Sequence, residues 1–216
     1  MRILAVDTAF GACSTALLQG DAVLARRFSL MERGHAEALA PMVEAVMIEA
    51  QIGFEAVDRL AVTVGPGTFT GQRVGLAFMR GLRLALKKPL TGVTSLAAMT
   101  AQARAEAGAE HAAAIHDARR GEVYLEIDSD GAHLIRFDDA PAALENLNGR
   151  IALAGTAAQR LAELPGMEGR QLFVSPVLAP DAVWVARLAA RIAPQSAAPR
   201  PLYLRAPDAK LPSPRS

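Results

Sequence analysis

The chain has 216 residues, of which 51% are hydrophobic, and its formal net charge is +1 at pH 7. This length allows one large domain or two lobes of about 100 residues each, and the charge gives no overall reason to expect nucleic-acid binding. The single cysteine, Cys13, excludes an internal disulfide and suits a reducing compartment. No apolar run reaches the roughly 18 residues of a membrane span, and the N-terminus does not resemble a signal peptide. We therefore expect a cytoplasmic α/β protein with no membrane association.

The first half of the chain alternates apolar runs with amphipathic periods. Strands are predicted for residues 3–6, 13–18, 23–30, 60–64 and 90–93, and helices for 35–50, 71–86 and 95–107. Pro41 lies inside the first helix and predicts a kink or a later start. Ser95 is expected to cap the third helix.

The second half repeats the order of the first. An apolar run ending in Asp7 is followed four residues later by Gly11 and then a strand, and the run ending in Asp117 is followed in the same way by Gly121. Apolar runs ending in Gly65 and Gly155 each precede a helix. Strand–turn–strand units could look alike by chance. Because two separate patterns recur in the same order in both halves, we favour a duplicated βββαβα unit.

The duplication divides the chain into an N-terminal lobe, residues 1–107, and a smaller C-terminal lobe, residues 108–216, which ends in a proline-rich tail. Prolines at this density exclude a regular helix over the last 23 residues. The segment 200–205 could be ordered and extended, and a loose tail is expected beyond about Ala206.

A glycine-rich loop joins the strand at 60–64 to the next helix. A strand-to-helix junction of this kind directs backbone N–H groups and a helix N-terminus at an anion. The spacing matches neither a Walker A loop nor a dinucleotide fingerprint. With the turn after the first strand, the candidate phosphate or nucleotide loop comprises Asp7, Thr8, Gly65, Gly67, Thr68, Thr70 and Gly71.

Asp7 and Asp117 form the pair that looks most catalytic. In duplicated lobes they would face one cleft from opposite sides, as in actin-like phosphotransferases that hold phosphate and Mg²⁺. The alternative is that each carboxylate only caps its own turn. The two readings weigh equally for Asp7, whereas turn capping is favoured for Asp117.

The histidines and the cysteine do not predict a metal site. His111 and His116 are five residues apart, which places them on different faces of a strand or a helix. His35 has Leu39 where a helical histidine pair would need a second ligand. Cys13 reads as a small buried hydrophobic residue.

The second helix carries a basic stripe and several glycines. One side of this helix carries four basic residues, Arg73, Arg80, Arg83 and Lys87. The ordinary interpretation is a solvent-exposed face, and the more specific one is contact with an acidic partner or with RNA phosphate. Its glycines, Gly71, Gly75 and Gly81, allow a close approach by the sheet of the same lobe or by a helix of another chain. The first helix also has apolar residues off its main face, at Ala38, Ala45, Met47 and Ile48, which suggests a helix-on-helix interface.

Together these elements resemble a known family. Asp7-Thr8-Ala9, the run from Gly65 to Gly75, the run Asp117-Ala118-Arg119-Arg120-Gly121-Glu122-Val123-Tyr124 and Tyr203-Leu204-Arg205 occur in the order seen in the TsaB (YeaZ) family of bacterial tRNA threonylcarbamoyladenosine synthesis. The resemblance runs from residue 1 to about residue 212. It implies an actin-like (ASKHA) fold of two lobes.

The resemblance also implies a role. TsaB-like proteins are regarded as non-catalytic partners of a TsaD-like paralogue, which transfers threonylcarbamoyl to N6 of the adenosine 3′ of the anticodon, and a TsaE-like ATPase joins them. It implies a heterodimer with that paralogue, and no catalytic or metal residues. A homodimeric structural module is a third reading, since the same helix pair could self-associate when the partner is absent. Direct contact with tRNA and ATP or ADP at the subunit junction stay open. The runner-up is an ATP-dependent phosphotransferase of a small molecule.

The family interface uses the first two long helices, here residues 35–50 and 71–86. The residues carried over for partner binding are His35, Leu39, Met42, Val46, Gly71, Arg73, Gly75, Phe78, Met79 and Leu82. Two departures from the sequences of active relatives argue against metal binding and nucleotide binding by this chain. Leu39 replaces the second histidine of the paralogue's metal motif, and Gly155 is followed by Thr156 where a second glycine would bind adenosine.

Overall fold

The computed structural model describes residues 1–194 and 196–205 as an α/β fold. The loose tail predicted beyond Ala206 lies outside the described residues. The strands are β1 Arg2–Asp7, β2 Ala12–Gln19, β3 Ala22–Leu30, β4 Arg59–Gly65, β5 Leu90–Thr94, β6 His111–Asp117, β7 Glu122–Ile127, β8 His133–Arg136, β9 Ile151–Ala154 and β10 Leu172–Val174. The helices are α1 His35–Glu49, α2 Phe69–Leu86, α3 Ser95–Ala107, α4 Ala140–Ala143, α5 Ala158–Ala162 and α6 Ala182–Arg191.

The strands form two sheets of the same design. The first has the order β3-β2-β1-β4-β5, and the second, read from β8, has the order β8-β7-β6-β9-β10. In each sheet the first three strands of the unit pair antiparallel and the later two join parallel. The order of elements and the matching sheets confirm the predicted duplication and the two-sheet α/β class.

β1 lies at the centre of the first sheet and is apolar on both faces. Leu4 and Val6 pack into a core with α1 and α2, whereas Ile3 and Ala5 pack into a second core with α6. A strand covered on both faces loses the alternation of polar and apolar residues, which is why Ile3 to Val6 reads as one apolar run.

The helix ends differ slightly from the sequence prediction. α1 begins at His35, as predicted, and contains Pro41. α2 begins at Phe69, two residues earlier than predicted, because the Thr68 side chain caps it by accepting from Gly71 N–H at 3.1 Å. The cap of α3 is Thr94 and not Ser95, since the Thr94 hydroxyl accepts from Ala97 N–H at 3.1 Å.

The second unit keeps the sheet and shortens its helices. α4 and α5 have 4 and 5 residues, against 15 and 18 in their counterparts α1 and α2. β8, β10 and α6 were not predicted. Only three residues form β10, which is too short for a periodic pattern to be recognised.

The last helix of each unit covers the sheet of the other unit. α3 packs against β6, β7 and β9, whereas α6 packs against β1, β2 and β4. Arg59 fixes the end of α6 by donating to the carbonyls of Ala189 at 2.6 Å and Ile192 at 2.8 Å. The division at residue 107 stays a prediction, and the crossed helices join the two lobes tightly.

Candidate functional site

The glycine-rich loop packs closely against the turn after β1. A Cβ on Gly67 would lie 2.4 Å from the Ala9 carbonyl oxygen, and one on Gly71 would lie 2.1 Å from that of Thr8. A Cβ on Gly75 would lie 2.8 Å from Thr8 Oγ1. These contacts are all within the N-terminal lobe. The sequence had left open whether Gly71 and Gly75 allow a close approach by their own lobe or by another chain, and the structure shows an approach by their own lobe.

Thr8 links the turn to α2. Its hydroxyl donates to the Gly71 carbonyl at 2.6 Å and accepts from the Gly75 N–H at 3.0 Å. The only O–H of this hydroxyl is therefore committed to the Gly71 carbonyl. Thr8 positions the start of α2, and its side chain has no free O–H to donate to a phosphate in this structure.

Asp7 is fully buried beneath the same junction. Its Oδ1 accepts from Thr63 Oγ1 at 2.5 Å and from Ala9 N–H at 3.1 Å, while Oδ2 has no hydrogen-bond partner among the described residues. Burial, with a smaller contribution from Asp181, raises the pKa of Asp7 to about 7. The carboxylate does not line the cleft between the lobes, which removes the main support for a phosphotransferase.

Asp117 occupies the matching place in the second lobe and is exposed. Its Oδ1 accepts from Arg119 N–H at 2.7 Å, and its own N–H donates to Thr156 Oγ1 at 3.0 Å. The carboxylate caps the β6–β7 turn as the favoured reading expected. It also lines the cleft.

The cleft between the lobes has a volume of about 550 Å³. Of the predicted phosphate-loop residues, Gly67 and Thr68 line it, whereas Asp7, Thr8 and Gly71 are buried behind its wall. Its floor includes Phe10 stacked on His116, with ring centroids 3.8 Å apart. Burial lowers the pKa of His116 to about 4, so this ring is neutral at pH 7.

A C-terminal strap, residues 196–205, crosses from α2 to the second lobe. Leu202 N–H donates to the Val64 carbonyl at 2.7 Å, and Arg205 binds the Ala118 carbonyl at 2.6 Å and the Glu122 carboxylate. Residues 200–205 are thus ordered without a regular helix, as the sequence allowed. The sequence held no signal for the partners of Arg205, because they lie more than 80 residues away.

The strap also occupies the basic stripe of α2. Arg83 donates to the Ser196 carbonyl at 2.7 Å, Arg80 to the Pro199 carbonyl at 2.5 Å, and Arg73 to the Tyr203 hydroxyl at 2.9 Å. Three of the four stripe residues therefore contact the strap of the same chain, whereas Lys87 is exposed. Tyr203 and Phe69 stack with centroids 6.0 Å apart, and the Arg73 guanidinium lies 3.4 Å from the Phe69 ring centroid.

The predicted docking residues on α1 and α2 fall into two groups. The buried ones pack inside their own lobe, and their part in partner binding stays a prediction: they are His35, Leu39, Val46, Gly71, Gly75 and Met79. Met42, Phe78 and Leu82 are half-buried, and Arg73 is exposed. Sequence reasoning missed Leu84, which is 74% exposed, whereas Ile48, at 68%, was flagged as off the main face.

The candidate metal ligands are separated. Over residues 1–194 and 196–205, no group of three His, Cys, Asp or Glu side chains could hold a metal ion. His35 faces the Phe10 carbonyl oxygen at 3.1 Å, and Leu39 is in the core. Cys13 is buried, as predicted, and burial raises the pKa of its thiol to about 11.

Comparison with known proteins gives the family. A family model described as "TsaD: tRNA N6-adenosine threonylcarbamoyltransferase" matches residues 29–176. The chain is 34% identical over 192 residues to the tRNA threonylcarbamoyladenosine biosynthesis protein TsaB of Escherichia coli, covering 84% of this chain and 83% of that protein. The chain belongs to the TsaB family.

Solved structures agree with a TsaB assignment and with the fold. A Pseudomonas aeruginosa structure titled YeaZ has a TM-score of 0.76 and 30% identity, over 94% of this chain and 99% of that one. Component A of the Acidaminococcus fermentans (R)-2-hydroxyglutaryl-CoA dehydratase, with a TM-score of 0.51 and 10% identity, covers 88% of this chain and 98% of its own. The latter shows the fold alone, which is actin-like in both lobes.

Within the part of the chain that the structure describes, none of the helices combines the length and the apolar character needed to cross a bilayer. The two longest are α1 and α2, and both use their apolar residues to cover the first sheet.

Proposed function

We propose that this chain is the non-catalytic subunit of a tRNA threonylcarbamoyladenosine-forming complex, and that its partner is a TsaD-like paralogue. The E. coli relative is named for biosynthesis of that nucleoside, and the matching family model describes the transferase itself. The burial of Asp7 and the commitment of the Thr8 O–H to the Gly71 carbonyl support a role that does not need chemistry in this chain. The phosphotransferase alternative is not favoured.

The observation that carries the proposal is exposed apolar surface on α1 and α2. Ile48 and Leu84 are large hydrophobic side chains with about two thirds or more of their area exposed. On α2, Ala77, Gly81 and Ala85 are exposed as well. Apolar residues grouped on a surface often mark a protein interface, and small residues allow a helix of another chain to approach closely.

Around this surface, exposed residues would contact the partner and buried residues would hold the two helices in place. Leu39, Val46 and Met79 form the core beneath the two helices and hold them in place. Arg73, which contacts Tyr203 and Phe69, lies in the first half of α2. The partner then contacts the exposed residues, and the buried residues act through them.

The test is affinity for the TsaD-like paralogue of the same cell. Leu84→Glu introduces a charge where the apolar surface would be covered, so we expect affinity to fall by at least tenfold, or about 1.4 kcal/mol. Because Leu84 is exposed, the Tm of the isolated chain should stay within about 2 °C of that of the unchanged protein. Calorimetry and co-purification give the two readouts.

The matched control is Leu178→Glu. Leu178 is 50% exposed and lies outside α1 and α2, so partner affinity should be unchanged. A chain that never recovers a TsaD-like protein, or a Leu84→Glu variant that binds as tightly as the control, would contradict the proposal.

Three further parts of the proposal rest on the same complex. A TsaE-like ATPase joins the heterodimer, the transferred group goes to tRNA held by the complex, and the α1–α2 surface pairs with a second copy when the paralogue is absent. If the same surface serves both associations, Leu84→Glu should also shift the isolated chain from dimer to monomer in analytical ultracentrifugation.

A further inference from the structure

The C-terminal strap brings an aromatic side chain to the start of α2. Tyr203 stacks with Phe69, the first residue of that helix, and the two residues are 44% and 51% exposed. The guanidinium of Arg73, one turn later in α2, lies over the Phe69 ring, and its Nε donates to the Tyr203 hydroxyl. We call Phe69, Arg73 and Tyr203 the aromatic lip, because both rings border the cleft between the lobes.

The aromatic lip is held in position by its own chain. The strap pairs with the end of β4 through Leu202 N–H, which donates to the Val64 carbonyl, and Arg205 anchors its far end to the β6–β7 turn. Tyr203 lies between these two attachments. A side chain that is already ordered loses little conformational entropy on binding, so the exposed rings are suited to association with another molecule.

The strap borders the exposed face of α2 on the side opposite to α1. With 3.6 residues per turn, the arginines that contact the strap lie on one side of α2, and half-buried residues that pack into the core shared with α1 lie on the other. The former are Arg73, Arg80 and Arg83, and the latter are Val74, Phe78 and Leu82. Between the two rows lie the exposed residues Ala77, Gly81 and Leu84.

The aromatic lip and Leu84 are close enough to belong to one interface. Both Phe69 and Leu84 lie on the continuous helix α2, and their separation along its axis is about 22 Å at a rise of 1.5 Å per residue. A typical protein interface covers about 800 Å² on each partner, which is a patch about 30 Å across. One partner can therefore contact Leu84 near one end of α2 and the lip at the other.

The composition of the lip favours a protein partner over RNA. Tyr, Phe and Arg are enriched at the centre of protein interfaces, and Tyr and Arg often carry much of the binding energy. Binding of single-stranded RNA combines base stacking with a basic groove along the backbone, but Arg80 and Arg83 donate to carbonyls of the strap. Arg73 also covers one face of the Phe69 ring, which a base would otherwise use.

We propose that the aromatic lip forms part of the surface that binds the TsaD-like paralogue, so that the C-terminal strap contributes to the interface. This extension rests on the proposed function, which supplies the partner and its contact with α1 and α2. Apolar side chains of the partner pack against the exposed parts of the Phe69 and Tyr203 rings, while the same partner covers Leu84 further along α2.

The experiment measures the affinity of the full chain for the TsaD-like paralogue by calorimetry. Phe69→Ala/Tyr203→Ala removes both rings, and we expect the affinity to fall about tenfold. Tyr203→Phe keeps the ring and loses only the hydroxyl that Arg73 contacts, so it should weaken binding less than the double variant does.

The matched control is Phe28→Ala. Phe28 is 37% exposed and also has an arginine over its ring, with the Arg26 guanidinium 5.6 Å from the centroid. It lies on β3, outside α1, α2 and the strap, so the affinity should change less than about twofold.

Hydrogen exchange of the unchanged protein gives a second measurement, which does not depend on the folding of any variant. The amides of residues 69–73 and 202–205 should exchange more slowly in the complex than in the isolated chain. Equal affinities of the double variant and Phe28→Ala, or unchanged exchange at residues 202–205, would show that the partner does not reach the lip and would overturn the proposal.

Two further comparisons separate this proposal from RNA binding and from the proposed function. If the double variant weakens binding of an unmodified tRNA to the assembled complex and leaves the partner affinity unchanged, the lip contacts RNA and the proposal is wrong. If Leu84→Glu loses the partner while the double variant keeps it, only the extension to the lip is refuted. An unchanged chain that recovers no TsaD-like protein refutes the proposed function and the extension with it.

Discussion

The turns after β1 and β6 begin with the same motif and end in different environments. In both, an aspartate ends a central strand and accepts from the N–H two residues later, at 3.1 Å for Asp7 and 2.7 Å for Asp117. Asp7 is 0% exposed, because Ser14 binds the start of α6 over it. Asp117 is open to the cleft.

The difference shows that a duplicated motif does not carry duplicated chemistry. Local hydrogen bonding is set by the strand and turn, so it is repeated. Solvation and pKa depend on which helix crosses over the turn, and α6 returns to the first sheet from the far end of the chain. The buried carboxyl became part of the core, whereas the exposed one stayed available at the surface.

The largest effect is expected from a substitution that disrupts the packing of α2 against the turn after β1. Gly71→Ala places a methyl group 2.1 Å from the Thr8 carbonyl oxygen, so the turn and α2 must separate. We expect a loss of about 3 kcal/mol or more in the free energy of unfolding, measured by urea denaturation. The matched control is Gly81→Ala, where a Cβ meets nothing within 4 Å. It should stabilise the protein by up to about 1 kcal/mol, and equal effects would contradict the packing argument.

The next effect tests the burial of Asp7 through pH. Burial raises the pKa of Asp7 from its ordinary 3.8 to about 7 in the folded state, so the folded state binds more protons than the unfolded state between these values. The contribution of the protonated Asp7 to stability is therefore fully present below about pH 4 and is lost as pH rises to 7, by up to about 4 kcal/mol. Asp7→Asn should remove this dependence.

The control for the pH experiment is Asp117→Asn, in the exposed turn. It should leave the slope of unfolding free energy against pH between 4 and 7 unchanged, because the carboxylate is open to solvent. Urea denaturation at several pH values measures all three proteins. A wild-type slope that survives in Asp7→Asn would show that another group causes it.

The smallest effects compare the two ends of the strap. Arg205→Ala removes two carbonyl hydrogen bonds and a half-buried ion pair with Glu122, so we expect a loss of about 2 kcal/mol and faster hydrogen exchange at residues 118–122. Tyr203→Phe removes only the exposed bond from Arg73 and keeps the ring stack. Its loss should be below about 1 kcal/mol. A larger loss from Tyr203→Phe would reverse the expected order.

Much of the fold could be predicted because its signals are local. The amphipathic period of α2, the apolar run of β1 and the turn after Asp117 depend on neighbours within a few residues. The candidate site was predicted less well. Gly71 and Gly75 were correctly identified as points of close approach, but a single sequence could not show that Thr8 fills the space. Leu39 and Val46 shared a helical face with docking residues, and the same periodicity describes a face that is turned inward.

The sequence by itself determined the repeat, the two apolar helices and the TsaB-like motifs, because strand, turn and helix preferences act over short distances. Only the tertiary structure decided which helix covers which sheet, that Asp7 is sealed from the cleft, and that residues 196–205 occupy the basic stripe of α2. The contacts of the strap with α2 and of α6 with the first sheet join segments that are 100 or more residues apart. Burial and charge pairing depend on which distant segments come into contact, and local sequence patterns do not show these contacts.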